Sequence, residues 1–433
     1  MTAPEHPESS ASKPLATGVT VTGAGAAAQH PMTQWRVVAM AGAGLLGLMI
    51  ATTLTRWGAG AGEALRYGAG AALGGFAGIA LYHAAFGFTG AWRRLVRERR
   101  GAGLRAQMLL IAIACTMSFP LLGYEDVTGL DLHPVIMPMS AASALGAFVF
   151  GIGMQLGGGC ASGTLFTAGG GSTRNLVSLV FFIAGSVWAT AHIPTFWRDF
   201  ETLSGIPTLP AMSAVRDLGV AGALMLLALG TGAVWAITVL IERRAHGTLE
   251  NPRRTQSLVG GPWSLTTGAL GLVIVSIGCL MLFQRPWGIT AGFALWGAVA
   301  LDTLGSDVAS WPYWQGWRAA QLEAGLLADR TSVMNIGIVL GAFAAAGLAG
   351  RFKPEWNLPF RSLLIAALGG LMMGYGARLA FGCNIGAYLG GLVSGSAHGL
   401  WWLFWGFLGS YAGTWARVIL SMDPPWGARA ELA

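Results

Sequence analysis

The chain has 433 residues, of which 54% are apolar and 10% charged, against about 25% charged in an average soluble domain, and this excludes a water-facing globular domain for most of its length. Its formal charge of +7 comes mainly from arginines gathered between apolar runs, a placement that orients membrane helices rather than binding nucleic acid. Four cysteines, Cys115, Cys160, Cys279 and Cys383, form neither a CxxC pair nor a secreted disulfide framework, so free thiols are expected.

In chain order, residues 1–32 read as a disordered tail rich in Ala, Ser, Pro, Gly and Thr, without the basic-then-apolar start of a signal peptide. A first membrane half, 33–242, carries apolar runs near 36–57, 65–88, 104–123, 135–156, 174–194 and 216–242, each long enough for a hydrocarbon core of about 30 Å. A basic linker follows at 243–260. The second half, 261–421, holds runs near 264–283, 288–304, 332–349, 361–380 and 397–420, interrupted by a Trp-rich stretch around 306–332 whose topology the sequence leaves open. Residues 422–433 form a second tail. Arginines crowd 93–105 and 243–254, which predicts both segments and the N-terminus on the cytoplasmic side of a bacterial inner membrane, with the acidic connections at Glu125–Asp131 and Asp199–Glu201 opposite. The fold class is thus an all-α polytopic membrane protein of about 9–11 spanning helices.

Internal similarity is the most informative signal. Ala144–Gly163, ALGAFVFGIGMQLGGGCASG, and Ala367–Gly386, ALGGLMMGYGARLAFGCNIG, agree at nine of twenty positions, including Cys160 with Cys383. Fainter copies start near Ala72, with Phe88 at the cysteine position, and near Ala269, with Arg285 or Trp287 there. Repeats in membrane chains place the binding site where they meet. Each strong copy is a helix ending in glycines, then a cysteine, then small residues, and irregular backbone at membrane depth is tolerable only where it faces protein or a wet cavity. Short re-entrant helices are expected at these breaks, their N-termini favouring an anion. Close helix packing through glycine explains the glycines too, but not two cysteines in one register. Five or so residues upstream, the copies carry His83, Gln155, Leu280 and Arg378; a buried Arg378 needs a partner, which an anion supplies, unless it snorkels to headgroups. His83 also fits a plain core role. Cys115 and Cys279 read as buried structural thiols, and Trp401, Trp402 and Trp405 as a lipid-facing strip.

GGGCASGTLF at Gly157–Phe166 and GARLAFGCNIGAYLGG at Gly376–Gly391 resemble the YeeE/YedE family of membrane proteins. The resemblance implies thiosulfate uptake along a central hourglass-like path pinched by short helices, with cysteine thiols at Cys160 and Cys383 binding the ion in turn; it implies selenium metabolism for YedE-type relatives. The thiosulfate branch resembles a three-cysteine pattern that this chain lacks at Phe88 and Arg285.

A thiol is a weak neutral donor, enough to admit an anion and too little to trap it. The candidate substrate-binding set is therefore Cys160 and Cys383, with Gln155, Ser162, Thr164, Asn384 and Tyr388 as neutral donors and Arg378 as the attractive charge; His83, Phe88 and Arg285 are further candidates. The expected partners are a small sulfur-containing anion, the lipid bilayer and a cytoplasmic sulfur-carrier protein. A persulfide-forming sulfur transferase stays open as an alternative, although no His or carboxylate adjoins either cysteine in sequence to act as base. No Walker motif, CxxC or His-x-His string accompanies the cysteines, so no cofactor, metal or ATPase activity is expected.

Overall fold

Residues 32–425 are described by a computed structural model; apart from Met32, the expected N-terminal tail lies outside the described residues, as does the second tail from 426. Among the described residues nine helical segments are long and apolar enough to cross a membrane, and the chain is an all-α, multi-pass membrane protein. Its helices are α1 (Trp35–Arg56), α2 (Ala61–Ala84), α3 (Phe88–Glu98), α4 (Ala102–Gly123), α5 (Ala141–Gly157), α6 (Ala161–Gly169) and α7 (Thr173–His192). There follow α8 (Ala214–His246), α9 (Leu265–Phe283), α10 (Thr290–Thr303), α11 (Arg330–Leu348), α12 (Phe360–Leu379), α13 and α14 (Ala397–Ile419). The α13 element is a π-helical turn, Asn384–Leu389, running into an α-helical turn, Gly390–Val393.

The order resolves into four units of helix, short helix, helix: α2–α4, α5–α7, α9–α11 and α12–α14. The units pair head to tail. A Cβ on Gly146 would stand 2.8 Å from the Gly376 carbonyl oxygen and one on Gly153 2.8 Å from that of Gly369, so α5 and α12 run antiparallel. Gly271 faces Ala80 and Gly278 faces Leu73, which sets α9 antiparallel to α2 in the same way. The closing helix of each unit then lies along the opening helix of its partner: α14 on α5, α7 on α12, α11 on α2 and α4 on α9. Lipid gives helices no hydrophobic reason to associate, so they must gain van der Waals contact by close backbone approach. A Cβ on Gly374 would collide with the Phe182 carbonyl, and one on Gly409 with that of Phe148.

Helix α14 is not among the nine, yet it runs the length of α5: Trp401 Nε1 donates to Ser143 Oγ (3.1 Å) near one end and Arg417 Nη1 to the Gln155 carbonyl (2.8 Å) near the other. Its tryptophans do not form the expected lipid-facing strip. Trp402 is fully buried and Trp401 is turned toward α5, while Leu400, Phe404 and Leu408 take the exposed face; the strip reading failed because an inverted partner covers the side that a lone helix would give to lipid.

The long α8 stands at the periphery against α4, with Met225, Leu226, Leu229 and Trp235 exposed as a lipid-facing side chain set. It continues to His246, so Arg243 and Arg244 belong to the helix rather than to the linker expected from 243. Glu242 near its end is fully buried and accepts from Arg105 Nη2 (2.8 Å), Arg100 Nη1 (3.1 Å) and the Gly101 N–H (3.1 Å). The two arginine-rich segments therefore meet at one face of the bundle. At the other face the Trp-rich stretch, whose course the sequence left open, folds over the end of α7, where Trp314 Nε1 donates to Thr190 Oγ1 (3.1 Å).

Candidate functional site

Glycines end α5 where it must turn. Gly158 adopts a left-handed φ of +88°, and a Cβ there would stand 2.6 Å from Arg174 Nη1. That arginine reaches across from α7 and donates to the carbonyls of Gly157 (2.8 Å) and Leu156 (2.6 Å), satisfying acceptors that a helix end leaves unpaired. Cys160 follows in extended conformation as the residue capping α6, its Sγ 3.4 Å from Ser162 Oγ.

The inverted copy breaks differently. After Leu379 the chain turns through Phe381 (φ +58°) and Gly382 (φ +153°), and Trp402 Nε1 donates to the Gly382 carbonyl (3.1 Å). Cys383 is again extended, and its carbonyl accepts from the N–H groups of Ala387 (2.8 Å) and Tyr388 (3.3 Å), opening the wide π-helical turn of α13. Single π turns recur at functional sites.

Both thiols are buried, α6 touches α13, and Cys160 and the Arg378 guanidinium lie within electrostatic range of Cys383. Around them stand polar atoms without partners among the described residues: both amide atoms of Asn384, Thr164 Oγ1 and the Tyr388 hydroxyl. A buried unpaired polar group costs about 1–3 kcal/mol, so such groups are rare and mark contact with water or a ligand. Tyr388 stacks on Trp402 (6.2 Å between centroids, 7° between planes) and meets Phe88 and Trp92 edge-on.

The candidates from the sequence divide accordingly. Cys160, Ser162, Thr164, Cys383, Asn384 and Tyr388 lie on the two breaks or the short helices that they start. Arg378 sits in the last turn of α12, donating from Nη2 to Thr290 Oγ1 (2.7 Å) and leaving Nε without a partner among the described residues. Gln155 is held in the helix seam, its Nε2 donating to the Thr89 carbonyl (3.1 Å) and Ser410 Oγ (2.7 Å). His83 packs against Gly261 and Trp263 at the end of α2. Phe88 begins α3, but the residue in the capping position of the cysteines there is Gly87, because α2 ends one residue earlier than α5 in the aligned copies. In the remaining unit that position is Ile289; Arg285 is exposed in the connection before it. Sequence reasoning missed Trp92, which follows the α2 break by five residues, and gave Trp402 to lipid, since nothing local to α14 ties it to the Cys383 break.

One inverted pair of helix–break–helix units with a buried thiol at each break, set beside a second inverted pair without thiols there, is the architecture of repeat-built membrane transport proteins. Residues 83–412 match the family model described as sulphur transport, and the chain belongs to that family, as the YeeE/YedE resemblance implied. It is similar to the thiosulfate transporter TsuA of Spirochaeta thermophila, 28% identical over 324 residues that cover 73% of this chain and 88% of the relative. Against TsuA of Escherichia coli the identity is 23% over 375 residues, 82% of this chain and 95% of the relative. The probable transporter YedE of Escherichia coli is 32% identical over 138 residues, 32% of this chain and 33% of that protein.

Proposed function

We propose that this protein carries a small sulfur-containing anion of the thiosulfate type through a path pinched between the Cys160 and Cys383 breaks. The observation that carries this reading is the pairing of two buried thiols from inverted repeats beside unpartnered polar atoms of Asn384, Thr164 and Tyr388. Arg378 supplies attraction to one side of the pinch. The two S–H groups then offer weak donation in turn, so the ion moves between shallow sites instead of settling in one deep one. No bond to sulfur forms or breaks in this scheme. The arginine-rich face around Glu242 is the cytoplasmic one in a bacterial inner membrane, with the N-terminus on that side, in keeping with the excess of arginine there, and a cytoplasmic sulfur carrier would receive the ion.

The test is uptake of labelled thiosulfate by cells without another route for it. Cys160→Ala and Cys383→Ala are each expected to lower the initial rate at least about tenfold, equivalent to about 1.4 kcal/mol. Wild-type uptake in both variants defeats the reading.

A further inference from the structure

A cavity of about 130 Å³ adjoins the Cys383 break, and its walls include Cys279, Trp287, Gly288, Arg330, Met334 and Gly386. It is built by the unit pair that carries no cysteine at its breaks: Cys279 comes from α9, Trp287 and Gly288 from the connection to α10, and Arg330 and Met334 from α11. Gly386 joins it to the site above, standing three residues past Cys383 in the π-helical turn that the cysteine caps. Two features of the lining point to a ligand. Arg330 makes no ion pair or hydrogen bond among the described residues; its neighbour Asp329 is occupied by the Ser332 N–H (2.7 Å), Ser332 Oγ (2.8 Å) and Gln321 Nε2 (2.9 Å). Trp287 is 1% exposed, and its indole N–H has no acceptor among the described residues. A cation and a buried unpaired donor at one small cavity ask for an acceptor with negative charge.

The rest of the lining says which anion. Cys279 Sγ stands 3.6 Å from Met334 Sδ, a pair of polarisable sulfurs in an otherwise largely apolar wall. Sulfate, hydrated strongly on four equivalent oxygens, would leave part of its surface unpaired against that wall. An anion with one soft, weakly hydrated end would not, and discrimination by leaving polar groups unpaired is the strong kind.

We propose that this cavity is a selectivity site for a soft, sulfur-ended oxyanion, held with its oxygens toward Arg330 and the Trp287 indole N–H and its terminal sulfur toward Cys279 and Met334, one step from Cys383. Cys279, which reads in sequence as a structural thiol, thereby becomes a third sulfur along the route. This inference rests on the transport reading of Cys160 and Cys383, and the test separates the two.

The experiment measures labelled thiosulfate uptake against concentration in cells carrying the full chain. Arg330→Gln is expected to raise the half-saturation concentration at least tenfold, and Arg330→Lys, which keeps the charge, to recover most of that loss. An unchanged half-saturation in Arg330→Gln, with uptake still lost in Cys383→Ala, overturns this inference alone; wild-type uptake in both cysteine variants overturns the transport reading and this one with it. A second measurement needs no variant: N-ethylmaleimide modification of Cys279 in membranes, read by peptide mass spectrometry, is expected to slow at least threefold with thiosulfate and to be unaffected by equal sulfate. Equal rates with and without thiosulfate, equal protection by sulfate, or no modification at all overturn the proposal.

Discussion

The α5/α12 units and the α2/α9 units share one architecture and differ in what they present at the break. In the first pair the residues capping the short helices are Cys160 and Cys383; in the second they are Gly87 and Ile289. The second pair contributes walls instead: Phe88 and Trp92 from α3 bear on Tyr388, and the α9–α11 unit encloses the cavity beside Cys383. One scaffold, copied and inverted, can thus divide its labour, because close glycine packing holds the helices wherever the break residues are free to vary.

The largest expected effect breaks that shared packing. Gly374→Val would drive a side chain into the Phe182 carbonyl and, 2.6 Å away, the Ser186 N–H nitrogen, and should cost about 3 kcal/mol or more as backbone overpacking. Gly230→Val on lipid-facing α8, where a Cβ meets nothing within 4 Å, should accumulate at wild-type level. Membrane protein yield and detergent melting temperature check the pair, and equal yields would contradict the seam.

A smaller effect sharpens the division between unit pairs. A Cβ on Gly87 meets nothing within 4 Å among the described residues, so Gly87→Ala should leave thiosulfate uptake within about twofold of wild type, about 0.4 kcal/mol, where alanine in place of either cysteine lowers it at least about tenfold. A loss comparable to that of Cys160→Ala would mean that the α2 break shares the cysteines' work.

The smallest effect lies at the end of the α5/α14 seam, where Arg417 donates to the Gln155 carbonyl and to both oxygens of Asp423 (2.9 and 2.7 Å). Burial alone would raise the Asp423 carboxyl, but the Arg417 hydrogen bond and charge outweigh it and hold the group below its ordinary value of 3.8. A depressed carboxyl stabilises above its unfolded pKa and loses that contribution as pH falls through its folded one. Asp423→Asn should therefore cost under about 1 kcal/mol at neutral pH, and its melting curve should converge on wild type as pH drops below 3.8.

Helix positions were legible because lipid imposes them: an apolar run of about 20 residues has few other places to go. The expected runs near 174–194 and 264–283 stand as α7 and α9 with ends moved by a residue or two. The strong repeat was legible for a related reason, since close approach admits only glycine at Gly153, Gly369 and their like, and so keeps the copies alike. Cys160 and Cys383 could be paired in register from that alone. Their nearness could not, because the antiparallel docking of α5 on α12 is a contact between segments some 220 residues apart, set by surfaces that no local pattern records. The same docking turned Trp402 inward and held Gln155 in a seam. Arg330, Trp287 and Cys279, which share no motif, meet around one cavity only through the folding of the α9–α11 unit. Composition and periodicity thus determined solvent, helices and repeats, while the neighbours of each side chain were decided only when the inverted halves closed on one another.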